Sequence, residues 1–284
     1  MKYLSLITFI PAVALCVYIY IKDRAEKEPF KLLLILFFSG VAVCVPAKIV
    51  SDLLIGVFDG AFADQVTFSV SGTAEYSSPA MKNAHDALCA FVAAALPEEL
   101  FKWLPLFFIT RKNKNFDCLF DGIVYYVFLS AGFAVAENIM RIYTDGTDTL
   151  LIRAFMSVPA HLLFGVMAGF FYTLWHTYKQ ASEKENELII SKAAEKKKIV
   201  SAPLYAILSL AAPVAIHAVY TFTEISGEND ARLAYYLTVM ALYAVCFAVT
   251  HAVSRRDGKN TVIADAIVSR AHPGINAGTE DKSE

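Results

Sequence analysis

Leu96-Pro97-Glu98-Glu99-Leu100-Phe101-Lys102-Trp103 decides how this chain is read. The stretch lies inside an apolar run from Ala84 to Thr110, long enough to cross a bilayer, which takes about 20 residues. Each charge at the bilayer centre costs roughly 2.5–3.5 kcal/mol on insertion scales, so three in one span offset much of what the flanking Leu, Phe, Val and Ala contribute. Such groups persist when they face a bundle interior, pair with one another or do chemistry. Glu98 and Lys102 are four residues apart in the favourable acid-before-base order, so the spacing predicts that they pair. Glu99 is turned about 100° away and is left free. A purely structural buried ion pair is the plain alternative.

The rest of the chain agrees with a membrane reading. Of 284 residues, 57% are hydrophobic and 18% charged, against nearer half and a quarter in soluble domains. Mean hydropathy is +0.49. The net charge of −2 gives no basic field for nucleic acid. Cys16, Cys44, Cys89, Cys118 and Cys246 lie in or beside apolar runs without metal-ligand spacing, so they read as small core hydrophobes and disulfides are not expected. The first apolar run lacks a basic start and a clear cleavage site and reads as a signal anchor.

Apolar runs predict seven spans, at 4–21, 31–53, 84–110, 118–140, 150–178, 203–225 and 233–254. The expected fold is therefore an all-α, polytopic membrane helix bundle, with residues 1–254 as one domain. Lys and Arg crowd alternate connections: 22–31, 111–114, 179–198 and the tail. The opposite side holds only Lys2, Lys82, Arg141, Arg153 and Arg232. The positive-inside rule then puts the N-terminus outside and the C-terminus in the cytoplasm. Residues 59–83 are expected as an outer surface loop with a short strand at Gln65–Val70, and 179–202 as a charged cytoplasmic segment, helical or solvated. The tail, 255–284, is polar and expected to be disordered.

Three further polar sites fall at membrane depth: Glu137-Asn138 at the end of the fourth span, His161 in the fifth and His217 in the sixth. Each alone has an ordinary reading, as a helix end at headgroup level or a packed histidine. Gly165 and Gly169, at G-x-x-x-G spacing, mark a close helix contact. Asp121, near the inner end of its span, reads as interfacial. Together, Glu98, Glu99, Glu137, His161 and His217 all fall between the midplane and the outer surface, from span direction and the 1.5 Å helical rise. They are expected to line one water-accessible cavity that opens outward. Pro97, Pro159 and Pro213 each precede one of these groups and would free the carbonyls of Ala93, Phe155 and Ser209.

Carboxylates and imidazoles around a water suit general acid–base hydrolysis, with a Glu deprotonating water and a His donating to the leaving group. A second His or Asn138 would stabilise the oxyanion. The same set can hold zinc, which takes both ligand types. There is no H-E-x-x-H, no G-x-S-x-G, no pair of intramembrane aspartates and no Gly-rich phosphate loop. A proton-coupled transporter or channel would relay protons through the same chain of groups, but the inner halves of these spans hold almost none. A non-catalytic receptor or scaffold would carry a degenerate site.

The motifs, in this order, resemble the PrsW family of intramembrane proteases, related to the CAAX-prenyl endopeptidase and bacteriocin-immunity superfamily. The resemblance runs from Lys22-Asp23-Arg24-Ala25-Glu26-Lys27-Glu28-Pro29 to about Phe222. It rests on E-E-x-x-K at Glu98 to Lys102, on F-x-x-x-E-N at Phe133 to Asn138, and on histidine motifs at His161 and His217. It implies a bacterial cell-membrane endopeptidase that cuts a single-pass membrane-protein substrate near the outer face, as in site-1 cleavage of an anti-sigma factor. It also implies a site made of Glu98, Glu99, Lys102, Glu137, Asn138, His161 and His217. One position departs: Thr221 stands four after His217, where the family usually carries Asp or Asn. The acid or amide that would orient this imidazole must then come from elsewhere.

Overall fold

The computed structural model describes residues 9–68, 74–145, 150–226 and 229–273. The fold is all-α apart from one small hairpin. Its helices are α1 (Phe9–Lys22), α2 (Phe30–Ala61), α3 (Pro79–Leu88), α4 (Leu96–Thr110), α5 (Asp121–Asp145), α6 (Leu150–Ile190), α7 (Ala202–Ile225), α8 (Asn229–Arg255) and α9 (Asn260–Ala271). Among the described residues five helices are long and apolar enough to cross a membrane: α2, α5, α6, α7 and α8. The expected first span begins outside the described residues, and α1 covers the rest of it.

The bundle is built round α5 and α6. Within their apolar windows 78% and 72% of residues are buried, against 28% in α2 and α7 and 22% in α8. The two helices approach closely where glycine permits it. A Cβ added at Gly169 would lie 2.3 Å from the Gly122 carbonyl oxygen, and one at Gly165 would lie 2.8 Å from Ser130 Oγ. The G-x-x-x-G stripe is thus the α6 side of this contact.

The third expected span is one continuous helical run with a defect. Pro97 has no N–H and crowds the carbonyl of Ala93, four residues earlier. The chain widens ahead of it into a π-helical stretch, Cys89–Ala95, closed by the Leu96 N–H on the Phe91 carbonyl. Such bulges recur at functional sites. In α6, Pro159 acts on Phe155 in the same way, and the Tyr243 hydroxyl of α8 donates to the Phe155 carbonyl at 3.3 Å.

Two sequence readings need correction, and a third is narrowed to one of its alternatives. Much of 59–83 is not loop. α2 continues to Ala61, and Ser78 caps α3, its Oγ accepting the Met81 N–H at 3.3 Å with Pro79 in the first turn. The strand is β1 (Val66–Phe68), paired antiparallel to β2 (Ala74–Tyr76) with Val66 opposite Tyr76.

Of the two readings of 179–202, the helical one holds for its first part. α6 runs to Ile190, and the buried Glu185 accepts the backbone N–H groups of Lys198 and Ile199 and pairs with His272 Nε2 at 2.7 Å.

Nor is all of 255–284 disordered. α9 buries Ala264 and Val268, one turn apart, against Ala181 and Ile199. The missed signal was this i, i+4 apolar pair in a polar context. Residues 274–284 lie outside the described residues.

A polar knot ties the α1–α2, α4–α5 and α8–α9 junctions together. Asp257 accepts the N–H groups of Arg24, Ala25 and Phe120, and Lys259 pairs with Glu26 and Asp117. Asp121, expected at the interface, is buried and accepts the N–H groups of Asp117 and Cys118. Glu28 is buried beside it and accepts the Tyr125 hydroxyl at 2.5 Å. Burial pushes the Glu28 carboxyl up to about 7 and that of Asp23 up to about 6. The five cysteines are free.

Candidate active site

The π-to-α transition puts Glu98 and Glu99 in the first turn of α4, facing into the bundle. Both are buried, Glu99 completely. Glu137 and Asn138 come from α5, His161 from α6 and His217 from α7, and all four are buried. Every residue that the sequence singled out for the site is therefore in one region, drawn from four helices.

The pairing differs from the expected one. Lys102 Nζ lies 2.5 Å from Glu99 Oε1, not on Glu98. An i, i+3 pair is as close on a helix as an i, i+4 pair. What chooses between them is the interior: Lys102 is fully buried over the ring of Phe133, 4.9 Å from its centroid, on the Glu99 side. The ammonium also lies 3.4 Å from His161 Nδ1.

Glu99 Oε1 has a second partner, His217 Nδ1 at 2.8 Å. This carboxylate does what an acid at 221 would do. It accepts the Nδ1–H and leaves the Nε2 lone pair turned toward the site. His217 Nε2 faces Glu98 Oε2 at 3.8 Å. His161 Nε2 lies 2.9 Å from Glu137 Oε2, a close charge contact without the hydrogen-bond geometry of the His217–Glu99 pair. The two imidazoles meet edge to face with ring centroids 5.1 Å apart, and Phe164 stacks on His217 at 4.6 Å.

Among the described residues the site is closed over and does not open outward as a water-accessible cavity. Phe133 and Phe164 pack on His161, which is tightly enclosed, and the carboxylates and imidazoles are shielded from solvent. The charges offset one another only in part: Glu99 Oε1 pairs with Lys102 and His217, while one oxygen each of Glu98, Glu99 and Glu137 is buried without a hydrogen bond. An apolar groove of about 460 Å³ runs beside the site between α4 and α7, lined by Leu96, Leu100, Trp103, Leu210 and Val214 among others.

Glu98, His161 and His217 each offer one donor atom, and these atoms lie within 4.8 Å of one another. Glu98 Oε2 is buried with no hydrogen-bond partner. A carboxylate and two imidazoles, one backed by a second carboxylate, form a donor set that fits zinc. A second group, Asp117, Cys118 and Asp121, is as compact, but Lys259 already sits on Asp117 and two backbone N–H groups fill one Asp121 oxygen.

Arg153 was missed as a site residue. Its fork reaches Glu137 Oε1 at 3.0 Å and Asn138 Oδ1 at 3.2 Å. The sequence did carry a signal: Arg153, Ser157 and His161 recur at i, i+4, i+8 and so share one face of α6.

Comparison with known proteins agrees with the geometry. The family described as PrsW family intramembrane metalloprotease matches residues 28–250. "Protease PrsW" of Geobacillus kaustophilus is 31% identical over 248 residues, 87% of this chain and 89% of that protein. "Protease PrsW" of Oceanobacillus iheyensis is 32% identical over 174 residues, 61% of this chain and 70% of its own. "Protease PrsW" of Bacillus subtilis is 30% identical over 161 residues, 57% and 63% of the two chains. No solved structure gives a significant match.

Proposed function

The chain belongs to the PrsW family of intramembrane proteases, and from this we propose that Glu98, His161 and His217 are its hydrolytic centre. The observation that carries the proposal is the convergence of these three side chains from α4, α6 and α7, each buried and each with a donor atom facing the other two. Zinc, which Glu98, His161 and His217 would hold, supplies activation of water and polarisation of the scissile carbonyl when bound.

The chain's own groups do the remaining work. Glu98, whose Oε2 has no competing partner, orients the attacking water and takes its proton. Glu99 fixes the tautomer of His217 so that its Nε2 lone pair faces the site, and Glu98 passes the proton it took from water to the leaving amine. Lys102 pairs with Glu99 and holds its carboxylate in place. Glu137 aims His161. Asn138 has its Oδ1 engaged by Arg153 and a buried Nδ2 with no partner, a donor for the developing oxyanion. The substrate in this reading is a single-pass membrane protein of the anti-sigma-factor kind, cut near the outer face of a bacterial cell membrane.

The test is proteolysis in liposomes. A single-pass test protein is incubated with the wild type, with Glu98→Gln/Glu99→Gln, and with the wild type plus a chelator. Cleavage lost in the double variant is expected, and its loss to the chelator with return on added zinc assigns the metal. A double variant that cuts at the wild-type rate removes the proposed centre.

A further inference from the structure

Arg153 stands near the start of α6 and is mostly buried, its side chain 12% exposed. It binds groups from three helices. Nη2 donates to Glu137 Oε1 at 3.0 Å and to Ser157 Oγ at 3.3 Å, Nε to Asn138 Oδ1 at 3.2 Å, and Nη1 to Glu224 Oε1 at 3.3 Å. Arg141 Nε adds a contact to the same Glu137 oxygen at 3.3 Å. The two oxygens of Glu137 are thereby divided. Oε1 belongs to the arginines, and Oε2, which makes no hydrogen bond, faces His161 Nε2 at 2.9 Å.

We propose that Arg153 is a positioning residue of this centre: its fork locks the Glu137 carboxylate in the one orientation that aims His161 at Glu98 and His217. The proposal rests on the hydrolytic reading above. Three physical points support it. A guanidinium presents a rigid planar fork, so it fixes the direction of a carboxylate and not only its charge. Glu137 and Glu98 are buried carboxylates in the same region, and a cation on the far side of Glu137 offsets their repulsion. Glu224, two turns after His217 on α7, anchors the other edge of the fork, so the helices that supply both histidines are tied through one side chain.

A double-mutant cycle tests this in the full chain in liposomes, with Arg153→Gln, Glu137→Gln and the pair, plus Arg153→Lys and Glu224→Gln. One readout is cleavage of the single-pass test protein. The other, which needs no cleavage, is the 15N spectrum of the His161 imidazole. Arg153→Gln is expected to lower kcat about 10- to 100-fold with KM within about twofold, the range seen when groups that orient ligands are lost. The pair should be no slower than Glu137→Gln alone, and Arg153→Lys should recover only part of the rate. Arg153→Gln and Glu137→Gln should shift the His161 15N resonances alike, while Glu224→Gln leaves them within the wild-type line width. Losses that simply multiply in the pair, or a His161 spectrum unmoved by either Arg153 variant, overturn the proposal. If Arg153→Gln does not fold, Arg153→Lys carries the same comparison. If no form, wild type included, cuts the test protein, the reading of that substrate fails, and the His161 spectrum still decides the role of Arg153.

Discussion

His217 Nδ1 and Glu99 Oε1 lie 2.8 Å apart across 118 residues of sequence, joining α7 to the first turn of α4. The same Glu99 oxygen holds Lys102 at 2.5 Å. One carboxylate atom therefore sets the orientation of an imidazole and neutralises a fully buried ammonium. Several expectations follow from that double duty.

Glu99→Gln should damage both functions. The amide still accepts from His217 but leaves Lys102 as a buried charge without a counterion, a loss of about 3–5 kcal/mol for a broken buried pair. Thermal unfolding in detergent should show a large drop in midpoint, and proteolysis should fall at least about 10-fold. A variant as stable and active as the wild type would contradict the pairing.

Restoring charge balance should restore stability and not activity. Lys102→Met alone strands Glu99 and costs a similar amount, about 3–5 kcal/mol. Combined with Glu99→Gln it removes both charges, and most of the loss should return in the unfolding curve. The proteolytic rate should stay low, because His217 then lacks an anionic acceptor. Additive losses in stability would mean that the two residues do not act as a pair.

Thr221→Asp restores the acid of the family pattern and should do little. The Nδ1 atom of His217 is already engaged by Glu99, so a carboxylate one turn away has no free donor to accept. Cleavage rates within about twofold of wild type are expected. A rise of 10-fold or more, about 1.4 kcal/mol by the rate relation, would show that Glu99 is a poor substitute.

The polar knot gives a pH dependence. Burial, opposed by the Tyr125 hydrogen bond, pushes Glu28 up to about 7 from its ordinary value of 4.5. A raised carboxyl keeps its proton in the fold longer than in the unfolded chain. The stability it contributes is therefore complete below pH 4.5 and is lost as pH rises toward 7. Asp23, pushed up to about 6 by burial first and by Asp257 second, adds to the same slope between pH 3.8 and 6. Unfolding midpoints of the wild type should fall across pH 5 to about 7, and Glu28→Gln should flatten that slope. A wild-type midpoint that rises over this range would reverse the sign.

Gly169→Ala should loosen the centre of the bundle. The added methyl falls 2.3 Å from a backbone oxygen of Gly122, which cannot swing aside as a side chain would. A cost of about 1–3 kcal/mol is expected from overpacking, read as a lower unfolding midpoint.

Much of this molecule was legible from residue order alone. The charges at 98, 99 and 102 stand out because an apolar span makes charge expensive, and the same logic found Glu137, His161 and His217. Pro97 signalled a disturbed helix, and Gly165 and Gly169 a close contact. What failed involved groups read by composition. The polar tail hid α9, whose buried apolar residues are only Ala264 and Val268, with Ile267 and Ala271 packed beside them. Arg153 was counted only among the few basic residues of the outer side, although its fork reaches Glu137.

The sequence by itself determined that the chain is a membrane helix bundle, which family it resembles, and which polar residues gather in one buried cluster. Hydrophobic period and the cost of buried charge are local properties, readable along one dimension. Only the tertiary structure decided who pairs with whom. Lys102 can reach Glu98 or Glu99 equally well along α4, and the choice is made by Phe133 from α5 and His217 from α7. The structure also supplied the acid that position 221 lacks. An interaction across 118 residues depends on how helices pack, and spacing along the chain carries no record of it.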